Sequence, residues 1–209
     1  MWIDRAGLPF IGGAVLLALV VGLWLGRAWS VPFLILAAFF LFFFRDPDRT
    51  TPAGDSLVVS PADARIMAVG AFPGKNPPPG QWQWISMFLS PMDVHVNRTS
   101  VTGVVTRVEY HPGKFLPAYQ PDAGDLNEWT EVWFDTPFGP VVQRQIVGIL
   151  ARRIVNRLKV GDRVGAGQRY GVMKFGSRID MFVPLKATIY IKVGDKVVGG
   201  ETKIATLEP

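Results

Sequence analysis

The sequence contains no cysteine and only two histidines among its 209 residues. The lack of cysteine excludes disulfides, thiolate metal sites and a cysteine nucleophile, and it fits a reducing compartment. Two isolated histidines without a matching ligand cluster give no reason to expect a metal site. The formal net charge of +5 favours an anionic partner. No segment resembles a nucleic-acid-binding module, so the expected partner is membrane lipid and not nucleic acid.

Residues 6–26 contain no charged residue and form a first apolar run. A second apolar run follows at residues 31–44. Because a bilayer span needs roughly 20 apolar residues, we predict a hydrophobic helical hairpin over residues 1–50. Whether the hairpin spans the bilayer or enters one leaflet is left open. A cleaved signal peptide is the alternative, but no small-x-small site separates the two runs. Three arginines flank the two ends of the hairpin (Arg5, Arg45 and Arg49) and one lies in its loop (Arg27). This excess predicts a cell-membrane protein with a cytoplasmic body.

After residue 52, short runs rich in valine and isoleucine alternate with glycine, proline and aspartate turns. This texture predicts a mainly β (α+β) body over residues 51–209, and residues 149–158 are left open as a short helix or a strand. The expected strands cover residues 57–60, 65–69, 84–89, 101–110, 131–134 and 141–150.

The pattern K-V-G-D-basic-V-x-x-G occurs twice, at residues 159–167 and 192–200. Gly-Asp followed by a strand and another glycine is typical of β-hairpins. The pair resembles the repeated hairpins of lipoyl- and biotinyl-type domains, and two ordinary hairpins are the alternative.

Between the two copies lies the peptide bond that joins Gly176 to Ser177. A serine hydroxyl can attack the preceding carbonyl and move the acyl group from nitrogen to oxygen, and a glycine leaves that carbonyl open. The step needs a base for the hydroxyl proton and donors for the oxyanion. Elimination from the ester leaves a pyruvoyl ketone at the new N-terminus. Most Gly-Ser pairs are ordinary turns, so this interpretation depends on the rest of the chain.

The candidate proton-transfer groups lie upstream. If residues 91–98 form a strand, Asp93, His95 and Asn97 share one face, and histidine exchanges protons near neutral pH. A surface strand with incidental polar residues is the alternative. Asp63 orients a histidine, acts as a base or caps a turn. His111 either faces the site or is structural. Four basic residues are candidate contacts for lipid phosphates, with a solvated basic face as the alternative: Lys114, Arg152, Arg153 and Arg157.

Several of these segments together resemble the phosphatidylserine decarboxylase family in its short bacterial and archaeal form. The F-G-S-R-I-D segment at residues 175–180 is the most specific, and the V-H-V-N-R segment at residues 94–98 supports it. The other similar segments are residues 60–63, 110–118, 127–128 and 145–155.

The resemblance implies a self-cleaving proenzyme that is cut between Gly176 and Ser177 into a β chain (1–176) and an α chain (177–209). Ser177 would become a covalent pyruvoyl cofactor. The implied reaction converts phosphatidylserine into phosphatidylethanolamine and CO₂ through a Schiff base to that group. The implied partners are the two chains of one precursor, the lipid substrate and the membrane, while a homo-oligomer is left open.

The family's aspartate and histidine match Asp63 and His95, which would activate the serine and handle protons, with Asp93 and His111 as supporting candidates. Two positions depart from the family pattern. Arg98 stands where the longer bacterial form has a second histidine, and Ala64 replaces the glycine of P-A-D-G. The departure at Arg98 leaves open which group takes over the second histidine's role.

Two other functions are compatible with parts of the sequence. A membrane-anchored export adaptor with a lipoyl-like body would explain the hairpin and the repeat, but not the F-G-S-R-I-D segment. A pyruvoyl decarboxylase for a soluble amino acid would explain that segment, but not the membrane hairpin.

Overall fold

The computed structural model describes residues 2–149, 154–174 and 176–208. The chain divides into two compact units, residues 1–48 and residues 49–209. The predicted apolar runs lie in the first unit and the predicted strands in the second, so the first unit is mainly helical and the second is mainly β.

The first unit is a helical hairpin formed by α1 (Leu8–Leu25) and α2 (Val31–Phe43). Short strands β1 (Trp2–Ile3) and β2 (Arg45–Asp46) flank the helices and pair antiparallel. This pairing holds the two ends of the hairpin side by side. Single turns of 3₁₀ helix precede the two helices, at Arg5–Gly7 and Arg27–Ser30.

Buried alanines and exposed large apolar side chains occur together in this hairpin. Ala14, Ala18 and Ala37 are buried, whereas Leu23 and Trp24 are 84% and 85% exposed. Small residues let two helices approach closely within a membrane, and large apolar side chains facing outward are costly in water. The helical segment Arg5–Leu25 is 21 residues long, enough to cross a bilayer. The predicted apolar N-terminal helix is therefore confirmed, and its pattern indicates membrane association.

The described residues of the second unit form fourteen strands and one short helix, α3 (Ala123–Leu126). The body is therefore mainly β, as predicted. The strands are β3 (Leu57–Val59), β4 (Ala64–Gly70), β5 (Trp82–Leu89), β6 (Val96–Arg98), β7 (Gly103–His111), β8 (Trp129–Asp135), β9 (Val141–Ile146), β10 (Ile154–Asn156), β11 (Arg163–Val164), β12 (Arg169–Met173), β13 (Ser177–Pro184), β14 (Thr188–Ile189), β15 (Lys196–Val197) and β16 (Lys203–Thr206).

Eight strands make one sheet in the order β11-β7-β8-β9-β13-β5-β4-β15, and two three-stranded sheets have the orders β10-β12-β6 and β14-β16-β3. The region left open in the sequence contains a strand at Ile154–Asn156, while residues 150–153 lie outside the described part of the chain. Successive side chains of β13 alternate between the two faces of the sheet. Ile179 and Met181 lie in the main core, which also contains Phe134 and Ile204.

The sheet orders are symmetric about the contact between β9 and β13. Strands β6 to β12 form one half of the body, and β3, β4, β5, β13, β14, β15 and β16 form the other in the same relative order. We call them the inserted half and the split half, because the inserted half lies in the chain between β5 and β13. In the inserted half, β8 and β9 are joined by a short turn. In the split half, the whole inserted half takes the place of that turn.

The repeated K-V-G-D pattern occupies equivalent places in the two halves. Gly161 and Gly194 have φ values of +93° and +95°. Their N–H groups donate to the carbonyls of Val105 and Ile66 at 2.8 and 2.9 Å. These equivalent contacts agree with two copies of one substructure.

Neither copy folds back on itself as a local hairpin. Strand β11 pairs with β7, and β12 pairs with β6 and β10. In the same way, β15 pairs with β4, and β16 pairs with β3 and β14. The likeness to lipoyl- and biotinyl-type hairpins therefore stays a prediction.

Candidate active site

Ser177 is the first residue of β13, in the middle of the eight-stranded sheet. It lies opposite Leu89 of β5, it is fully buried, and its Oγ atom has no hydrogen-bond partner among the described residues. The preceding residue, Gly176, has a φ of +75°, a conformation that L-residues with side chains rarely adopt. The bond between them thus joins a left-handed turn to a central strand.

The imidazole of His95 is held against this bond. Its Nδ1 atom lies 2.9 Å from the Asp93 carbonyl oxygen, and the Gly176 N–H donates to its Nε2 atom at 3.4 Å. Because a carbonyl oxygen can only accept, Nδ1 carries the proton and Nε2 presents its lone pair. A fully buried, neutral imidazole with this tautomer is suited to act as a base.

The predicted polar strand face is wrong in detail, because β6 begins only at Val96. Asp93 lies in the preceding turn, where its carboxylate accepts the Ser90 N–H at 2.8 Å. It positions His95 through its backbone carbonyl. Asn97 and His95 are as deeply buried as their apolar neighbours, so side chains do not alternate between core and solvent. Asn97 tolerates burial since its Oδ1 accepts from Gln145 at 2.7 Å.

Asp63 precedes β4 and has a different set of partners. Its carboxylate pairs with Arg49 at 2.8 Å and accepts the Gly199 N–H at 2.8 Å. Within the described structure, the hydrogen-bond partners of Asp63 are therefore Arg49 and Gly199, and His95 is not one of them. Asp63 lines a cavity of about 530 Å³ together with Asp93. The two predicted carboxylates therefore meet at this cavity.

His111 is not brought to this site. It ends β7, stacks on Trp129 with 3.7 Å between ring centroids, and lies 3.8 Å from Glu109. His111 pairs with Trp129 of β8, Trp129 pairs with Ile146 of β9, and Ile146 pairs with Arg178 of β13. These four residues therefore lie in one row across the sheet, next to the row of Ser177. Since neighbours along a strand face opposite ways, His111 lies on the other face of the sheet from the Ser177 side chain.

Gly148 is a site residue that sequence reasoning missed. Its Cα lies so close to the Gly176 carbonyl that a Cβ at position 148 would overlap the oxygen. The backbone there is fixed, because the Val147 N–H donates to the Glu128 carbonyl at 3.1 Å and Asn127 donates to the Val147 carbonyl at 2.8 Å. A glycine within an apolar run carries no signal of this contact in the sequence.

The two departures from the family pattern are both accommodated. Arg98 is buried and donates to the Gly167 carbonyl at 3.0 Å, so it binds a repeat loop. Ala64 is the buried first residue of β4, where its methyl group fits the main core. Two of the predicted phosphate contacts, Arg152 and Arg153, lie outside the described residues, as does Phe175 of the F-G-S-R-I-D segment. In the described part of the chain, no group of three or more histidine, aspartate or glutamate residues is placed to hold a metal ion.

Comparison with known proteins agrees with this geometry. The phosphatidylserine decarboxylase family matches residues 36–205. A phosphatidylserine decarboxylase proenzyme from Symbiobacterium thermophilum is 43% identical over 206 residues, which cover 98% of this chain and 95% of the relative. One from Nitrosomonas europaea is 40% identical over 204 residues, which cover 97% and 94%.

Proposed function

The chain belongs to the phosphatidylserine decarboxylase family, and from this membership we propose that it is a self-processing enzyme that converts phosphatidylserine into phosphatidylethanolamine and CO₂. Family membership over nearly the full chain removes the export adaptor as an alternative. The observation that carries the proposal is the bond between half-buried Gly176 and fully buried Ser177, with the Nε2 atom of His95 beside it.

In the proposed self-cleavage, Ser177 Oγ attacks the Gly176 carbonyl carbon and the acyl group moves from nitrogen to oxygen. The ester then eliminates, so the C–O bond to the former serine breaks and Gly176 leaves as a carboxylate. The remaining enamine takes up water and releases ammonia, which yields the pyruvoyl end of the α chain. Gly176 adopts its left-handed φ without the steric cost that a Cβ would bring, so the chain can turn into β13 at the carbonyl that is attacked.

His95 is the proposed base for the serine hydroxyl proton. Its support is the tautomer imposed by the Asp93 carbonyl, which leaves Nε2 unprotonated and next to the scissile bond. Asp63 is proposed to act in turnover from its place at the neighbouring cavity. Its carboxylate is held there by the ion pair with Arg49.

The surroundings of Ser177 fit a pyruvoyl group. A charged amine at a buried N-terminus would be costly to desolvate, whereas a neutral ketone is not. When present, that group supplies an electron-accepting carbonyl for the substrate amine and for the electrons released with CO₂. The protein's part is to hold β13, which begins at position 177, between β5 and β9. The buried setting excludes water, and His95 returns a proton to the substrate carbon.

Cleavage is not expected to separate the chains. Strand β13 of the α chain pairs with β5 and β9 of the β chain, β15 pairs with β4, and β16 pairs with β3. The α chain also places Ile179, Met181 and Ile204 in the main core. Each such side chain contributes about 1.5–3 kcal/mol on burial, so the two chains stay associated.

The site is proposed to work at a membrane surface on the cytoplasmic side. Pro91 lies beside Gly176, and the next residue, Met92, is 58% exposed. Ala118 lies beside Gly148, and the adjoining Tyr119 and Ile149 are also exposed. Exposed apolar side chains around a reaction site suit contact with lipid. The cytoplasmic orientation rests on the arginines that follow the apolar hairpin.

Intact mass measurement of the purified wild-type protein tests the proposal. We expect two fragments that meet at Gly176 and Ser177, the smaller one lighter by the mass of ammonia than a chain that begins with serine. Ser177→Ala should give one uncut chain without decarboxylase activity. Ser86→Ala is the matched control, because Ser86 is also a buried serine whose Oγ has no described partner, and it should be cut normally.

A cut or active Ser177→Ala protein would contradict the proposal. So would an unbroken wild-type chain that retains an ordinary serine at position 177. Activity on free serine in place of the lipid would instead identify the soluble-amino-acid decarboxylase.

A further inference from the structure

Three buried polar atoms near the Gly176–Ser177 bond have no hydrogen-bond partner among the described residues: Ser177 Oγ, Asn97 Nδ2 and Gln145 Oε1. We propose that these atoms hold one buried water molecule, and that this water converts the enamine left by self-cleavage into the pyruvoyl ketone. The inference rests on the proposed function. It adds to that function a water-binding site and two positioning residues, Asn97 and Gln145.

Gln145 and Ser177 face the same side of the eight-stranded sheet. Gln145 of β9 lies opposite Ile179 of β13, and Ser177 is two residues before Ile179. Side chains two residues apart on a strand share a face, so both polar side chains point to the side of Ile179. Gln145 and Ser177 are therefore diagonal neighbours on adjacent strands, about 7–8 Å apart and within reach of a long side chain.

Asn97 of β6 lies over this face and completes the site. Its Oδ1 accepts from Gln145 Nε2 at 2.7 Å. His95, two residues earlier in the chain, lies at the other end of the site, where its Nε2 accepts the Gly176 N–H at 3.4 Å. The contacts thus close a circle of five residues: Ser177, Gly176, His95, Asn97 and Gln145. The segment 95–97 therefore covers the Ser177 side chain from the neighbouring sheet.

The amide pair of Asn97 and Gln145 is left with one donor and one acceptor. Each carboxamide has an oxygen and an NH₂ group, and the bond between the two side chains uses one of each. Turning both amides over exchanges their roles and leaves the same remainder. Asn97, Gln145 and Ser177 are all fully buried, where an unpaired polar group is costly. The site therefore favours a small molecule that both donates and accepts hydrogen bonds.

Water matches these atoms in number and in character. It accepts from Asn97 Nδ2, donates to Gln145 Oε1, and forms a third hydrogen bond with the Ser177 hydroxyl, which can donate or accept. Buried waters typically make about three hydrogen bonds to groups that otherwise lack partners. Both amides are neutral and offer no counter-charge, so an ion would bind here only at a cost of desolvation.

The last step of the proposed self-cleavage consumes one water at position 177. The enamine moves a proton from its nitrogen to its methylene carbon and becomes an imine. The water oxygen then bonds to the imine carbon, the C–N bond breaks, and the nitrogen leaves as ammonia while the oxygen remains as the ketone. This hydrolysis needs no oxidant or reductant. Because position 177 is shielded from bulk water, a water already held beside the carbon gives the step its reactant in place.

Gln143 supplies a matched control. It lies two residues before Gln145 in β9, faces the same side of the sheet and is also fully buried. Both ends of its amide are bonded, because its Oε1 accepts the Ser100 N–H and its Nε2 donates to the Arg98 carbonyl, each at 3.2 Å. Gln143→Met and Gln145→Met are thus the same chemical change, made in a structural amide and in a water-binding one.

The test follows the α chain of the full protein by intact mass over time after synthesis. An α chain that begins with the enamine or imine is lighter than one that begins with serine by the mass of water. A pyruvoyl chain is lighter by the mass of ammonia. Residues 177–209 contain no asparagine or glutamine, so deamidation cannot imitate the conversion. The measured quantity is the pyruvoyl fraction among cut chains, which does not depend on how fast the backbone is cut.

In Gln145→Met and Asn97→Leu, conversion of cut chains to the pyruvoyl form should slow by roughly tenfold or more, because the reacting water is no longer held in place. Gln143→Met should convert as fast as wild type. Its thermal midpoint should instead fall, because the Ser100 N–H and the Arg98 carbonyl lose their partner. The two glutamine variants therefore separate a role in hydrolysis from a role in stability.

A second measurement does not need these variants to be cut. A crystal structure of uncut Ser177→Ala protein that resolves ordered waters should show one water within hydrogen-bond distance of Asn97 Nδ2 and Gln145 Oε1, since two partners still hold it. An amide pair without that water would overturn the proposal. So would conversion at the wild-type rate in both Gln145→Met and Asn97→Leu, or equal slowing in Gln143→Met. These results differ from failure of the proposed function, in which the wild-type protein itself would be uncut.

Discussion

The split half and the inserted half of the body share a backbone plan and differ in the side chains at their cavities. In the inserted half, Thr102 Oγ1 accepts the Ala166 N–H at 3.2 Å. In the split half, Asp63 Oδ1 accepts the equivalent Gly199 N–H at 2.8 Å. A neutral hydroxyl is thus sufficient to cap this repeat loop. The comparison teaches that capping of this loop does not require the charge of Asp63, whose other partner is Arg49.

The halves also differ in how their central strands are connected. Val141 of β9 lies opposite Phe134 of β8, and Ser177 of β13 lies in the same place opposite Leu89 of β5. The inserted half makes this connection by a short turn. In the split half, the returning chain enters the strand through the left-handed Gly176. The Gly176–Ser177 bond therefore lies where the inserted half ends, and the proposed cut there would leave all strand pairs intact.

The largest effect should come from closing the space around the scissile carbonyl. Gly148→Ala places a methyl group where the Gly176 carbonyl oxygen lies, so self-cleavage should fall by at least about 10²-fold, as a misplaced reacting group implies. The measurement is the fraction of cut chain over time after synthesis. Gly165→Ala in the inserted half is the control, because nothing lies within 4 Å of its added carbon. Equal processing of the two variants would refute the steric role of Gly148.

The next effect should come from the two equivalent capping residues. Asp63→Asn keeps an oxygen for the Gly199 N–H but removes the charge, and decarboxylation should slow by about 10²–10⁴-fold if Asp63 takes part in proton transfer. Thr102→Val removes the equivalent cap and should cost about 1 kcal/mol of stability without slowing the reaction. Steady-state rates and thermal midpoints measured on both variants distinguish a role of Asp63 in catalysis from a role in capping the loop. Full activity of Asp63→Asn would reduce Asp63 to a structural cap.

The smallest effect should come from a buried hydroxyl in the inserted half. Tyr170 lies in the core with no described partner for its Oη, and burial raises its pKa. Tyr170→Phe should leave stability unchanged or raise it by up to about 1 kcal/mol, since an unpaired polar group is removed.

The raised pKa of Tyr170 also gives this prediction a pH dependence. The folded protein holds the phenolic proton more tightly than the unfolded chain does. This tighter binding of the proton contributes to the free energy of unfolding. The contribution is complete below the ordinary pKa of 10.0 and is lost as the pH rises above it. Thermal midpoints between neutral and alkaline pH should therefore fall less steeply for Tyr170→Phe than for wild type. Parallel curves would show that Tyr170 is not desolvated.

Local patterns predicted much of the fold. Apolar runs became the helical hairpin, and the expected strands correspond to β3, β4, β5, β7, β8 and β9 within a few residues. The polar face around His95 was predicted wrongly, because alternation assumes one wet face and this segment is buried on both. The helical or extended state of residues 149–158 was ambiguous, since a short apolar run fits either state.

The sequence alone determined the groups whose chemistry depends on chain neighbours: the apolar hairpin, the strand-forming runs, and a serine that follows a glycine. Only the tertiary structure decided which distant groups meet at that bond. It brought Gly148 against the Gly176 carbonyl, and it directed the Nε2 atom of His95 to the Gly176 N–H. The physical reason is that these contacts arise from pairing between strands that are far apart in the chain. Such pairing depends on register and shared burial, which no local pattern encodes.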